Sequence, residues 1–161
     1  MPKLVPEGIA LVCRWETFAP NPYQDNGGHL ACGYGHSTIG PPEVKLGEVW
    51  DEPYASSVLK TDLELVGTRL LKLITVPLND YQFSALCSVA YNTGVSGLAH
   101  SEAIRLLQDR TITYPYEKCA LALVDYAVSA KDKITGIRRD FLGLKIRRIT
   151  EAALFLTKVP A

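Results

Sequence analysis

The sequence predicts an α+β fold, with a small β-rich lobe near the N-terminus and one long helix joining it to a larger helical lobe. Three observations predict it. Glycines cluster at Gly27, Gly28, Gly33 and Gly35, in a stretch from Tyr23 to Ser37 that otherwise suits short strands. Leu59, Leu63, Val66 and Leu70 keep one face apolar over about five turns of helix. Beyond Pro77, clustered apolar residues recur at helical spacing. A chain of 161 residues suits one domain, with the small lobe at about 17–52 and the helical lobe at about 53–161 plus an N-terminal helix over 6–16.

Each element has a local reason. Pro6 opens the first helix, where its missing N–H would be unpaired anyway. Ile9, Val12 and Cys13 form its apolar stripe, and the next position on that face is Glu16. Pro20 and Pro22 stop it. Two short strands follow, joined by a turn around Asn26-Gly27-Gly28. Gly40-Pro41-Pro42 and Gly47 read as loop, with room for one further strand. Asp51 caps the long helix, with Pro53 in its first turn, and Pro77 ends it. Asn79 and Gln82 stand at capping-box spacing before Phe83, Leu86, Cys87, Ala90 and Tyr91, and Gly94 stops this helix. So uniformly apolar a helix is expected at the centre of the larger lobe. Ser101 caps a short helix through Leu107. A further helix after Pro115 turns Ala120, Leu123, Val124 and Ala127 inward. The last, from about Gly143 to Thr157, is expected to bury Ile149, Ala152, Ala153 and Leu156.

Composition narrows the function classes. Hydrophobic residues make up 47% and charged residues 21%, as in a globular protein with a substantial core. Seventeen basic and seventeen acidic side chains cancel, so no global field draws in nucleic acid. The basic island from Arg138 to Arg148 reads as a solvated helix face with one or two ion pairs, and its aromatic interleaving is limited to Phe141. No apolar run approaches the roughly 18 residues that span a bilayer, and Pro6 and Glu7 break the N-terminal patch too early for a signal or anchor. Membrane insertion is therefore not expected. Cys13, Cys32, Cys87 and Cys119 are dispersed, with no CxxC pair and no His at ligand spacing, so neither a metal nor another cofactor is expected. Cys13, Cys87 and Cys119 read as small buried hydrophobes, and all four as reduced.

Two carboxylates carry the chemistry. Glu16 stands near a helix C-terminus, where the macrodipole opposes negative charge by roughly 0.3–1 kcal/mol. Its face is otherwise apolar, so desolvation also favours the protonated acid. Asp25 lies nine positions on, in a turn whose backbone N–H groups and water keep it ionised. Opposed environments for two acids facing one cleft suit the splitting of a glycosidic bond.

The motifs W-E-T-F, Y-Q-D-N-G-G and G-Y-G-H-S resemble the catalytic signature of the bacteriophage lysozymes, the endolysins of glycoside hydrolase family 24. The similarity continues through Gln82 to Gly94 and Gly143 to Phe155, so it covers most of the chain in order. The resemblance implies a lysozyme-like fold with its cleft between the lobes. It also implies a muramidase that cuts the bond between N-acetylmuramic acid and N-acetylglucosamine in peptidoglycan. Glu16 would be the general acid and Asp25 the second carboxylate. An inverting reaction needs these carboxyls about 6.5–9.5 Å apart, to admit a water.

One position departs from the pattern. Where the family usually has Thr, holding the nucleophilic water, this chain has Ala31, whose methyl forms no hydrogen bond. Three explanations stay open: another group holds the water, the enzyme is weakened, or Ala31 is an introduced change. A peptidoglycan-binding or virion-structural module without turnover is the rival reading.

The resemblance also pairs His36 with Asp62 on the long helix. Such a pair would raise the His36 pKa, so its stabilisation would be full below about 6.5 and fade as pH rises through the folded value. Of the paired arginines, Arg148 is expected to reach Glu16, while Glu151 serves pairing along the helix. Ser37, Tyr91, Asn92 and Ser101 are candidate glycan contacts, with Tyr91 equally suited to core packing and Ser101 a cap first. His29 and Tyr34 line the hairpin as weaker candidates. The partner is then bacterial peptidoglycan. The protein would be a monomer that accumulates in the host cytoplasm and reaches the wall once a separate holin breaches the membrane.

Overall fold

The long helix and the glycine-rich strands meet at one end of the molecule, and the geometry of that meeting decides the site. The structure is a computed structural model that describes residues 1–25, 27–37, 41–131 and 138–157. Asn26 and Gly40, assigned above to turn and loop, lie outside the described residues, as do 158–161 of the helical lobe.

Helix α1 (Pro6–Glu16) begins on its proline and buries Val12. Three antiparallel strands follow in spatial order: β1 (Ala19–Gln24), β2 (Leu30–Gly33) and β3 (His36–Ser37). Pro20 and Pro22, expected only to stop α1, lie within β1. They are tolerated because β1 is an edge strand whose pairing is irregular between Ala19 and Tyr23. The turn closes through the Asp25 N–H on the His29 carbonyl at 2.8 Å, and Gly28 takes the positive φ of 79° that the turn requires.

Helix α2 (Glu52–Leu70) is the long connector, capped as expected by Asp51, whose side chain accepts from the Tyr54 N–H. Its apolar stripe buries Leu59, Leu63 and Leu70 and leaves Val66 half-buried. It ends seven residues before Pro77, because short bonds from Lys72 and Leu73 back to Arg69 and Leu70 tighten its last turn. Helix α3 (Asp80–Thr93) has both arms of the Asn79/Gln82 capping box and buries every residue from Phe83 to Ala90. It packs against α1, α2 and α7 (Leu142–Phe155), which makes it the central core helix. Close approach is built in. A Cβ on Gly67 of α2 would stand 2.3 Å from the Phe83 ring, and one on Gly8 of α1 would stand 2.5 Å from Ser84 Cβ.

The rest of the helical lobe is α4 (Val95–Ala99), α5 (Glu102–Gln108) and α6 (Pro115–Asp125), with a two-stranded ribbon of β4 (Ser129–Lys131) and β5 (Arg138–Asp140) before α7. Neither α4 nor the ribbon is signalled by the sequence reading. Ala127, expected inward on α6, is exposed beyond its end with φ 51°.

The buried face of α7 differs most from expectation. Ile149, Ala153 and Leu156 are exposed, and the inward positions are Arg147, Arg148, Glu151, Ala152 and Phe155. Charged residues occupy the core side because they pair there, Arg147 and Arg148 both with Glu151. All four cysteines are free; Cys32, Cys87 and Cys119 are buried and Cys13 is half-buried. Among the described residues no helix is long and apolar enough to cross a membrane, and no group of three His, Cys, Asp or Glu side chains is placed to hold a metal.

Candidate active site

Glu16 is the last residue of α1, and the chain turns away directly after it. Thr17 takes φ 55°, a left-handed value costing a non-glycine residue about 1–3 kcal/mol, and β1 starts two residues later. The turn leaves the Glu16 side chain 21% exposed, with Oε1 2.7 Å from Arg147 Nη2. This ion pair is close but poorly aligned, and neither atom has a hydrogen bond among the described residues.

Arg147, not Arg148, therefore meets Glu16. Arg147 Nε donates to Glu151 Oε1 at 3.1 Å, and the same oxygen accepts from Ser88 Oγ on α3 at 2.6 Å. Arg148 reaches the other Glu151 oxygen and, through Nη2, the Asn92 side-chain oxygen. Burial lowers the Arg148 pKa, opposed by the Glu151 carboxylate. Glu151, expected to serve pairing along an exposed helix, is wholly buried and holds two helices together. Two cations and two anions balance along this chain, which makes their burial tolerable.

A cleft of about 370 Å³ opens on Glu16. Gly35, His36 and Ser37 form one wall; Asp62, Val66 and Arg69 of α2 another; and Tyr91 and Asn92, at the end of α3, a third. Gly35 takes φ 84°, which a side chain would strain, although a Cβ there would make only ordinary contact, 3.7 Å from Glu16 Oε2. Arg69 was missed by the sequence reading, although its spacing of seven from Asp62 puts both on one helix face.

His36 forms the expected pair, with Nδ1 2.7 Å from Asp62 Oδ2 and Nε2 2.8 Å from the Pro42 carbonyl. Both ring nitrogens face acceptors, which suits the doubly protonated ring. Tyr91 donates its hydroxyl to the Tyr34 carbonyl at 3.0 Å, and burial with the charges of Asp62 and Glu16 pushes its pKa up.

Asp25 lies at the sheet turn, where Oδ1 accepts from the N–H groups of His29 (2.9 Å) and Gly27 (2.7 Å). Those bonds, His29 first, hold its carboxyl below the ordinary range. Asp25 and Ala31 are not among the residues lining the cleft volume around Glu16. The sheet register links them to a residue that does line it. Ala31 pairs across β2 with Tyr23 and Ser37, and Ser37 lines the cleft. Asp25 lies just beyond β1, two residues along from Tyr23, and its N–H on the His29 carbonyl continues that register.

The remaining candidate contacts fall as follows. Ser101 is buried and caps α5 as expected, its hydroxyl accepting from the Ile104 N–H, and it is not among the residues lining the cleft. Tyr34 is buried, and its hydroxyl donates to Glu52 Oε1 at 2.8 Å. Arg148 supports Asn92 rather than Glu16. His29 stays at the exposed turn beside Asp25.

A sequence model described as phage lysozyme matches residues 13–151. The chain belongs to the phage lysozyme family. It is 32% identical to an endolysin of Salmonella phage P22 over 158 residues, covering 98% of this chain and all of that one. Among solved structures it is similar to the muramidase domain of SpmX from Asticaccaulis excentricus, with TM-score 0.82 and 26% identity over 98% of this chain and all of that one. It is also similar to the endolysin of Escherichia coli O157:H7 phage FAHEc1, with TM-score 0.78 and 28% identity over 98% and 95% of the two chains. The family fold is the lysozyme fold, with a small sheet lobe and a larger helical part, and the chain is a glycoside hydrolase.

Proposed function

We infer that the protein is a phage peptidoglycan muramidase, hydrolysing the β-1,4 bond between N-acetylmuramic acid and N-acetylglucosamine and so lysing the bacterial cell. The observation that supports this reading is the acid at the end of α1, lining a polar cleft whose wall includes Ser37, the sheet neighbour of Ala31.

Glu16 is the general acid. It protonates the glycosidic oxygen as the bond to the anomeric carbon breaks, while Arg147 fixes the side chain's direction. Asp25, held ionised by backbone N–H groups, faces the oxocarbenium-like transition state and takes a proton from the attacking water, whose oxygen bonds to the anomeric carbon. Ser37, Tyr91 and Asn92 contact the glycan. His36 with Asp62 ties the sheet wall to α2 and keeps the cleft's width fixed. The whole chain acts as one domain and as a monomer. It accumulates in the host cytoplasm and gains the wall when a separate holin opens the membrane.

Turbidity of chloroform-treated Gram-negative cells tests this. The wild type is expected to clear them and release fragments ending in reducing N-acetylmuramic acid. Glu16→Gln should slow clearing by about 10²- to 10⁴-fold. Binding without clearing by the wild type would favour a wall-binding module instead.

A further inference from the structure

We propose that Tyr23 is a catalytic residue of this site, its hydroxyl holding the attacking water beside Asp25 where Ala31 presents only a methyl. The proposal rests on the muramidase reading.

The sheet register carries it. Tyr23 and Ala31 are direct partners across β1 and β2, so their side chains leave the same face with Cβ atoms about 4.5–5.5 Å apart. Asp25 follows two residues later on that face, and its own partner is His29, whose carbonyl accepts the Asp25 N–H at 2.8 Å. Tyr23 and Asp25 therefore flank the Ala31 methyl together. That methyl is 1% exposed, so the groups around it, not Ala31, present the surface that a water meets.

Tyr23 has what the task needs. Its side chain is 42% exposed and makes no hydrogen bond among the described residues. The phenol oxygen can accept a hydrogen bond from one O–H of the water, a proton that stays on the product hydroxyl, while Asp25 takes the other proton and the water's lone pair bonds to the anomeric carbon. Burial raises the Tyr23 pKa first, and then the negative charges of Glu16 and Asp25 raise it further. Both carboxylates thus act on this phenol, as expected for a group standing between them, and together they keep it protonated. Ser37, the partner of Ala31 on the other side, is the competing hydroxyl, but it already has interactions of its own.

Tyr23→Phe keeps the ring and removes only the hydroxyl. With purified peptidoglycan as substrate, kcat should fall about 10- to 100-fold, with KM within about twofold and Tm unchanged, as for a misplaced reactant. Adding Ala31→Thr, or the smaller Ala31→Ser if threonine overpacks the site, should restore much of the lost kcat by returning a hydroxyl to the same face. Wild-type kcat in Tyr23→Phe overturns the proposal. So does a folded double variant that stays slow, or a loss that appears only in KM or Tm. If Ser37→Ala alone gives the kcat loss, serine holds the water. An inactive wild type would instead overturn the muramidase reading itself.

Discussion

Asp25 keeps its charge because the N–H groups of His29 and Gly27 bond the ionised form more strongly than the neutral one. Its folded-state pKa is lowered, so the associated stabilisation is present above the unfolded value and is lost as pH falls through the folded one. A ¹³C titration of the Asp25 carboxyl should therefore show a midpoint below about 3.9. A midpoint above that value would contradict the assignment. At this scale the motifs pointed to the His36–Asp62 pair, which forms, and to Glu16, which lines the cleft, while Asp25 stands in its motif outside that lining. The choice between Arg147 and Arg148 was not. Adjacent helical residues point about 100° apart, and only the packed orientation of α7 decides which meets Glu16. The buried Glu151 was hidden for a similar reason, because a carboxylate four residues after an arginine looks the same on a wet face.

Helix α3 reads correctly from sequence because every level agrees on it: a capping box, continuous apolar burial and a glycine stop. Helix α7 reads wrongly because its inward face carries Arg147, Arg148 and Glu151. Apolar periodicity then points to Ile149 and Leu156, which are exposed. The prolines of β1 misled in the same way, since edge placement makes them acceptable in a strand. The α2–α3 contact gives a sharp test. Gly67→Ala gains about 1 kcal/mol of helix propensity, but its Cβ would meet the buried Phe83 ring at 2.3 Å, and overpacking costs about 1–3 kcal/mol. The net should be destabilising, with Tm lowered by several degrees and recovered when Phe83→Leu is added. An unchanged or higher Tm would show that the ring shifts freely.

Across the whole molecule, the sheet wall, α2 and the end of α3 enclose one groove, and two polar networks fix its width. His36 bonds Asp62 of α2 and the Pro42 carbonyl, while Glu151 joins α7 to α3 and, through Arg147, to Glu16. Glu16 is thereby set by three helices rather than by a loop, which suits the general acid proposed above. The most direct test is a crystal structure of Glu16→Gln with a peptidoglycan tetrasaccharide. The sugar chain should lie between Ser37 and the Asp62–Arg69 face of α2, with Gln bonded to the glycosidic oxygen and Asp25 across the anomeric carbon from it. Saccharide bound outside this groove, or an Asp25 carboxyl turned away from the anomeric carbon, would contradict the account.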